Sequence, residues 1–209
     1  MFQLPYSLLP PYELPHFGVM EKVFDEEEVD RIRFYEKILD FQDATIVGQQ
    51  QGNPEEPQEQ KARIAKNASI PQDENTGWLW NKIAHLSAKA NYDLFLYDIS
   101  FLEDLSYTIY IGTDGGHYVQ HVDTSLFGYR KFDRKISGIL MLSDPDEYEG
   151  GTLAIDVFGG APEERWTRIE KPNKGDLIFF DSHFVHKVEP VTSGKRQVLV
   201  FWVHGKSKL

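Results

Sequence analysis

The chain has 209 residues, a formal net charge of −11 and no cysteine. Its length accommodates one domain with a substantial core, and its 41% hydrophobic and 13% aromatic content is typical of a globular protein. The acidity argues against a nucleic-acid partner, because binding a polyphosphate requires basic surface, and it favours a neutral or basic peptide. The absence of cysteine excludes disulfides and thiolate-ligated zinc or iron–sulfur centres.

Neither a secretion signal nor a membrane span is predicted. The first residues lack a basic region and are interrupted by prolines, unlike a signal peptide. No apolar run approaches the roughly 20 residues that a membrane helix needs. We therefore expect a soluble, cytoplasmic protein, and the sequence leaves its oligomeric state open.

Residues 1–93 are expected to hold an arm, two helices and a loop. Prolines over residues 1–18 predict an extended arm. Asp25 and Glu28 form a capping-box pattern at the start of a helix near 26–39. A second helix is predicted near 76–90, and both helices are interpreted as packing support for a sheet. The apolar positions at helical spacing are Val29, Ile32, Tyr35 (or Phe34), Ile38 and Leu39 in the first helix, and Trp78, Leu79, Ile83, Leu86 and Ala90 in the second.

Two polar segments and one histidine carry alternative interpretations. Residues 48–60 lack core-forming side chains and predict a mobile loop, which is either a lid over a site or an insertion without a role. Residues 129–135 are the one basic cluster in an acidic chain, and they either order a substrate or loop or, as we favour, form a solvated turn. His85, on the second helix, is interpreted as a surface or packing residue.

From residue 94 onward the hydrophobic pattern changes to a period of two. Short runs rich in β-branched and aromatic residues alternate with turn formers, which indicates an antiparallel sandwich or jelly roll. The predicted fold class is mainly β, a double-stranded β-helix (jelly roll) over residues 94–204 with N-terminal supporting helices, in a single domain of residues 1–209. The predicted strands are Leu94–Phe101, Leu105–Ile111, Lys135–Leu142, Gly151–Val157, Trp166–Ile169, Asp176–Phe180 and Gln197–Val203.

A His-x-Asp pair follows one β-rich run. Residues two apart in a strand face the same side, so His121 and Asp123 can direct an imidazole and a carboxylate at one point. Such pairs also occur by chance in surface strands, and a metal site needs a third ligand from elsewhere. Two histidines and one carboxylate are typical of non-haem Fe(II) oxygenases, in which open positions remain for a cosubstrate and O₂.

Two later histidines compete to be the third ligand. His183 and His186 are three residues apart, which in a strand places them on opposite faces. We choose His186, because Val188 and Pro190 continue an inward-facing strand and an arginine follows at a workable distance.

Arg196 opens an apolar strand-like run, on the same face as Val198, Val200 and Trp202. A buried cation must be paired, and its strand offers no carboxylate. A guanidinium matches the shape of a ligand carboxylate, whereas the alternative is an ion pair with Asp or Glu at the rim. Tyr110, one strand over, either adds a hydroxyl there or is a core tyrosine.

Three motifs occur in the order of a known family. The first motif begins at Tyr110 and contains Gly-Gly-His-Tyr-Val-Gln-His-Val-Asp. The second begins at Leu140 and ends with Glu-Gly-Gly-Thr-Leu. The third runs from Gly175 to Arg196. Residues 105–204 thereby resemble the Fe(II)/2-oxoglutarate-dependent oxygenases of the prolyl 4-hydroxylase-like class, especially PKHD-type hydroxylases of bacteria and phages. The N-terminal hundred residues match more loosely.

The resemblance implies roles for particular residues. His121, Asp123 and His186 would bind Fe(II), and Arg196, helped by Tyr110, would take the distal carboxylate of 2-oxoglutarate. Because relatives that halogenate lack the carboxylate at the position of Asp123, halide transfer is disfavoured. The resemblance further implies that the pocket is lined by Ile139, Met141 and Trp202.

The implied activity is a dioxygenase that uses Fe(II), 2-oxoglutarate and O₂, with L-ascorbic acid as a candidate reductant. It would hydroxylate prolyl residues of a peptide or protein and release succinate and CO₂. One alternative is the same chemistry on a free amino acid, a small metabolite or a modified base, the last disfavoured by the acidic charge. Another is a non-catalytic metal-binding jelly-roll module.

Overall fold

A computed structural model describes residues 17–44, 62–124, 131–156 and 165–206 of the chain. These residues form two α-helices, α1 (Glu26–Arg33) and α2 (Gly77–Ala90), and fourteen strands. The strands are β1 (Phe17–Met20), β2 (Gln42–Asp43), β3 (Arg63–Ile64), β4 (Lys66–Ile70), β5 (Ile99–Leu102), β6 (Leu105–Ile111), β7 (His117–His121), β8 (Phe132–Met141), β9 (Tyr148–Gly150), β10 (Leu153–Asp156), β11 (Trp166–Ile169), β12 (Leu177–Asp181), β13 (His186–Val188) and β14 (Val191–Lys206).

The strands pair into two antiparallel sheets that form the predicted jelly roll. The larger sheet has the order β1-β12-β8-β14-β6-β4-β2, with β5 and β9 also paired to β14. The smaller sheet has the order β11-β10-β13-β7-β3. Strand β14 is central to the larger sheet, because it pairs with four other strands along its length. The prediction of a mainly β jelly roll is confirmed.

The larger sheet separates two hydrophobic clusters. One lies between the sheet and the helices and includes Leu199 and Phe201 of β14. The other lies between the two sheets and includes Ile139 of β8 and Val198 of β14. Because side chains alternate along a strand, β14 contributes to both clusters, and its even-numbered positions at 196 and 198 face the space between the sheets.

Helix α1 begins where the capping box was predicted. The Asp25 carboxylate accepts the Glu28 amide at 2.9 Å, and the Glu28 carboxylate accepts the Asp25 amide at 3.0 Å. The helix ends at Arg33 and continues as a 3₁₀ turn over Phe34–Lys37, so the prediction of one helix to residue 39 is too long. The tighter turn leaves Ile38 60% exposed, contrary to its predicted core position, while Tyr35 and Leu39 pack on the core.

Helix α2 agrees with the prediction, whereas the strand predicted over Leu94–Phe101 begins late. The chain continues from α2 as a π-helical turn over Asn91–Phe95, and β5 starts only at Ile99. The Asn91 side chain donates to the Tyr97 carbonyl and accepts from the Tyr97 amide, both at 2.9 Å. These two bonds satisfy the backbone amide and carbonyl of Tyr97, which in a strand would pair with a neighbouring strand. His85 is exposed on α2, as predicted.

The N-terminal part also contributes strands that were not predicted from the sequence. β1 pairs with β12, and β4 pairs with β6, so both extend the larger sheet. β3 pairs with β7 at the edge of the smaller sheet. These strands have only two to five residues, which is too short for a period of two to be recognised.

Some predictions fall outside the described residues. The loop of residues 48–60 does so, as do residues 1–16 of the predicted arm and residues 129–130 of the basic cluster. From Phe132 onward the cluster lies in β8, with Lys135 buried, so the prediction of a solvated turn is wrong there. In the part of the chain that the structure describes, no helix is long and apolar enough to cross a membrane. The division into one domain stays a prediction.

The capping box gives a test of local stability. Asp25→Ala should lower the free energy of unfolding by about 1 kcal/mol, because the first turn of α1 loses its side-chain acceptor. Urea denaturation measures this change. The control is Asp40→Ala, which alters an exposed aspartate that makes no hydrogen bond among the described residues. Equal losses in the two variants would contradict the stabilising role of the cap.

Candidate functional site

Two histidines face each other across the smaller sheet. His121 is the last residue of β7 and His186 is the first of β13, and these two residues are directly paired in the antiparallel register. Their ring centroids are 4.1 Å apart. The pairing of two short strands thus brings together residues that are 65 positions apart in the sequence.

Asp123 completes the cluster from outside a strand. β7 ends at His121, so the predicted alternation of His121 and Asp123 along one strand is wrong. The chain bends after the strand, and the Asp123 amide donates instead to the Ser182 carbonyl at 3.1 Å. Its Oδ1 lies 3.6 Å from His121 Nε2, and its Oδ2 lies 3.5 Å from His186 Nε2. One ligand atom from each of the three residues lies within 4.8 Å of the other two.

Backbone carbonyls set the orientation of both imidazoles. His121 Nδ1 is 2.8 Å from the Val119 carbonyl, and His186 Nδ1 is 3.0 Å from the Phe184 carbonyl. A carbonyl only accepts, so each Nδ1 carries the proton and each Nε2 keeps its lone pair. Hydrogen bonds from Nδ1 to a backbone carbonyl orient metal-binding histidines in the same way, with Nε2 directed at the metal.

The protonation states of His186 and Asp123 also suit metal binding. Burial lowers the pKa of His186 and outweighs the neighbouring Asp123 carboxylate, so this imidazole is neutral near pH 7. Burial alone would raise the pKa of Asp123, but the polar groups around it, including the Ser137 hydroxyl, outweigh burial and hold the pKa below its ordinary value. The cluster therefore offers a neutral His186 imidazole and an ionised Asp123 carboxylate, both in their metal-binding forms.

His183 does not belong to the cluster. It is exposed, and its Nδ1 bonds to the Asp181 carboxylate at 2.8 Å. Val188 is buried, as the choice between the histidines assumed, but Pro190 is exposed and lies beyond the end of β13. Of the two candidate histidines, the structure thus places only His186 beside Asp123.

Arg196 is buried and has no counter-ion among the described residues. It is 1% exposed, and its Nε and Nη1 have no hydrogen-bond partner among the described residues. Its Nη2 has a weak contact, 4.0 Å from the Met141 sulfur. The guanidinium carbon lies 5.4 Å from the centre of the Tyr110 ring, and the two residues are partners across β6 and β14. The alternative of an ion pair at the rim is therefore wrong, and Tyr110 is 3% exposed.

The predicted pocket-lining residues differ in their surroundings. Ile139 and Met141 belong to the cluster between the sheets, together with Tyr110 and Val198. Trp202 lies further along β14, where its ring is covered by the Arg134 guanidinium at 3.8 Å. Met141 is thus beside Arg196, whereas Trp202 is beside Ser137, its partner in the register.

Several neighbours of the cluster were not predicted. The Ser137 hydroxyl donates to Asp123 Oδ2 at 2.7 Å and lies 2.9 Å from the Ser182 hydroxyl. The Tyr118 ring stacks on His121 with a centroid distance of 3.5 Å. Gly151 leaves room for Arg196, because a Cβ at this position would lie 2.7 Å from the Arg196 side chain. The alternation of β8 carried a signal for Ser137, which is two residues before Ile139, but nothing in the sequence marks Ser182.

Part of the chain is similar in sequence to known proteins. Residues 105–204 match the profile of the 2OG-Fe(II) oxygenase superfamily. A PKHD-type hydroxylase of Aliarcobacter butzleri is 41% identical over 95 residues, which cover 43% of this chain and 39% of that protein. Another PKHD-type hydroxylase, from Janthinobacterium, is 34% identical over 154 residues, or 69% of this chain and 62% of that protein. The chain thus matches less than two thirds of the length of these relatives.

Solved structures share the fold at low sequence identity. A prolyl-4-hydroxylase of Pseudomonas putida has a TM-score of 0.66 and 18% identity, over 92% of this chain and 94% of that one. A Trichoplax adhaerens prolyl hydroxylase, solved with a peptide fragment of a hypoxia-inducible factor, has a TM-score of 0.67 and 19% identity, over 90% and 83%. These solved structures share the fold, and the sequence match over residues 105–204 is to the 2OG-Fe(II) oxygenase superfamily, whose cofactors are Fe(II), 2-oxoglutarate and O₂.

Proposed function

We propose that this chain is a 2-oxoglutarate- and Fe(II)-dependent dioxygenase that hydroxylates prolyl residues of a peptide or protein. Succinate and CO₂ are the coproducts. The proposal is supported by three clustered side chains that could hold a metal ion and by a buried guanidinium whose Nε and Nη1 have no partner among the described residues, inside the same jelly roll.

The metal would be held by His121, Asp123 and His186. Three ligands on one face leave three positions of an octahedral ion open, which suits an iron oxygenase and does not suit a closed structural zinc site. With no cysteine in the chain, the donors are limited to nitrogen and oxygen. The neutral His186 and the ionised Asp123 bind without first losing a proton near pH 7.

The cosubstrate would be anchored by Arg196. A buried guanidinium with two unpartnered nitrogens needs an anion, and a terminal carboxylate fits its planar fork. Tyr110 flanks the guanidinium through its ring, and Met141 and Ile139 supply apolar walls that exclude water. Trp202 would line the metal end of the pocket, near Ser137.

When bound, Fe(II) and 2-oxoglutarate would react with O₂ to supply the oxidant that replaces a C–H bond by C–OH. The chain's own residues would position the reacting groups and exclude water from them. His121 and His186 are fixed by their carbonyl bonds, and Arg196 by the packed interior of β14. Ascorbate as a reductant and a cytoplasmic location remain predictions that belong to this proposal.

The prolyl substrate is supported by the kind of proteins that this chain resembles. The neighbours of similar fold are prolyl hydroxylases, one of them solved with a peptide. The net charge of −11 favours a neutral or basic peptide over an acidic one. A peptide that carries a proline is therefore the substrate to test first.

Metal binding separates the two candidate histidines. Asp123→Ala should weaken Fe(II) binding by more than about a hundredfold, because losing a ligand exceeds the roughly 10–100-fold effect of losing an outer-shell partner. His183→Ala should leave binding unchanged, because this side chain bonds to Asp181 outside the cluster. Anaerobic calorimetric titration measures both variants.

Two results of that titration would contradict the assignment. Equal affinities in wild type and Asp123→Ala would remove Asp123 from the ligand set. A wild-type protein that binds Fe(II) but gives no visible charge-transfer band with 2-oxoglutarate would be a non-catalytic metal-binding module instead.

Arg196 offers a test in which stability and ligand binding move in opposite directions. Arg196→Met should raise the free energy of unfolding of the ligand-free protein by about 1–3 kcal/mol, because it removes a buried cation that lacks partners. The same variant should lose the stabilisation that 2-oxoglutarate gives to the wild type. Urea denaturation with and without 2-oxoglutarate measures both effects.

The matched control is Arg33→Met, because the Arg33 guanidinium is paired with Glu147 at 2.7 Å. This variant should be no more stable than wild type and should keep its response to 2-oxoglutarate. If Arg196→Met is less stable and still responds to 2-oxoglutarate, then Arg196 has a structural role and the anchor lies elsewhere.

The substrate class is tested by a mass shift. Proline-containing peptides should gain one oxygen and stimulate succinate release, whereas the same peptides with alanine in place of proline should do neither. Mass spectrometry after incubation with Fe(II), 2-oxoglutarate and ascorbate measures the shift, with Arg196→Met as the inactive control. Succinate release stimulated by free amino acids, and not by any peptide, would favour the small-molecule alternative.

A further inference from the structure

The two oxygens of Asp123 have different surroundings. Each oxygen lies near one imidazole, Oδ1 at 3.6 Å from His121 Nε2 and Oδ2 at 3.5 Å from His186 Nε2, but Oδ2 also accepts a hydrogen bond of 2.7 Å from the Ser137 hydroxyl. Ser137 is fully buried on β8. One lone pair of Oδ2 is therefore occupied before any metal arrives.

A second serine determines the direction of this hydrogen bond. The Ser137 hydroxyl is the donor in its bond to Asp123 Oδ2, so its single proton points to Asp123. The Ser182 hydroxyl, 2.9 Å from Ser137 Oγ, must then donate its own proton to Ser137. The result is a chain of hydroxyls from Ser182 through Ser137 to Asp123, in which each bond polarises the next.

Ser182 also holds the backbone that carries Asp123. Its carbonyl accepts the amides of Asp123 and Thr124 at 3.1 and 3.2 Å, and its own amide donates to the Lys135 carbonyl at 3.1 Å. The carboxylate is thus fixed at its backbone and at one oxygen by the same buried residue pair. Rotation of the carboxylate would break the bond to Ser137, since the hydroxyls are themselves held in place.

We propose that Ser137 and Ser182 are positioning residues that keep Asp123 a one-oxygen ligand, through Oδ1, so that three metal positions stay open. A carboxylate that binds through both oxygens would occupy one of these positions. The proposed reaction needs all three, two for 2-oxoglutarate and one for O₂. This inference rests on the proposed function, and it assigns to two serines the maintenance of the open site.

Ser137→Ala frees Oδ2 and is expected to let it bind the metal. In the Mn(II)-loaded protein, water-proton relaxivity per bound ion should fall by about one third, because one of three exchangeable waters is displaced. The affinity for 2-oxoglutarate should fall by about tenfold, because Oδ2 would compete for one of the two metal positions that 2-oxoglutarate needs. Mn(II) affinity should stay within about threefold of wild type, because binding of Mn(II) by the second oxygen of Asp123 would compensate for the lost hydrogen bond to Ser137.

Three further variants make the result specific. Ser182→Ala should move relaxivity in the same direction by a smaller amount, and Ser137→Thr, which keeps the hydroxyl, should restore the wild-type value. Ser87→Ala is the matched control, because Ser87 is buried on α2 and its hydroxyl has no partner among the described residues. It should match the wild type in every measurement.

Wild-type relaxivity and 2-oxoglutarate affinity in Ser137→Ala would overturn the inference. So would a large loss of Mn(II) affinity with unchanged relaxivity per bound ion, because Ser137 would then only hold the ligand in place. If the wild-type protein binds Mn(II) but no 2-oxoglutarate, the proposed function itself fails, and that result is distinct from either of the others.

Discussion

The antiparallel pairing of β7 with β13 is the contact on which the site depends. It sets two imidazoles side by side at the end of the smaller sheet, each fixed by a backbone carbonyl two residues earlier. Neither strand has more than five residues, and both are held by neighbouring strands on their other sides. The geometry of the two nitrogens is therefore a property of the sheet rather than of flexible side chains, which is what a metal site of defined shape requires.

The interior between the sheets combines this metal cluster with an electrostatic feature that opposes stability. A guanidinium that packs against Met141 and Tyr110, with no carboxylate beside it in the described part of the chain, is unfavourable in the absence of an anion. The fold tolerates this buried charge because β14 is hydrogen-bonded to neighbouring strands along most of its length. A buried group that destabilises the ligand-free protein is expected where a bound ligand supplies the missing partner.

Much of the fold followed from patterns that are local in the sequence. The capping box at Asp25, the strand Leu105–Ile111 and the strand Trp166–Ile169 were predicted at their observed positions, because their signals need no partner. The π-helical turn after α2 was not predicted, since it depends on the side chain of Asn91 reaching Tyr97. The short strands β1 to β4 were missed for a related reason, because they exist only through the strands with which they pair.

At the candidate site, residue types and spacing pointed to His121, Asp123 and His186, because few side chains can bind a metal, and the family resemblance added the role of Arg196. The sequence could not reveal that Asp123 lies beyond the end of its strand, or that Ser137 and Ser182 determine which of its oxygens is free. Those features depend on contacts between residues 14 to 59 positions apart. Only the folded sheets bring such residues within hydrogen-bonding distance. The sequence therefore identified the candidate ligands, whereas the tertiary structure determined how they are arranged.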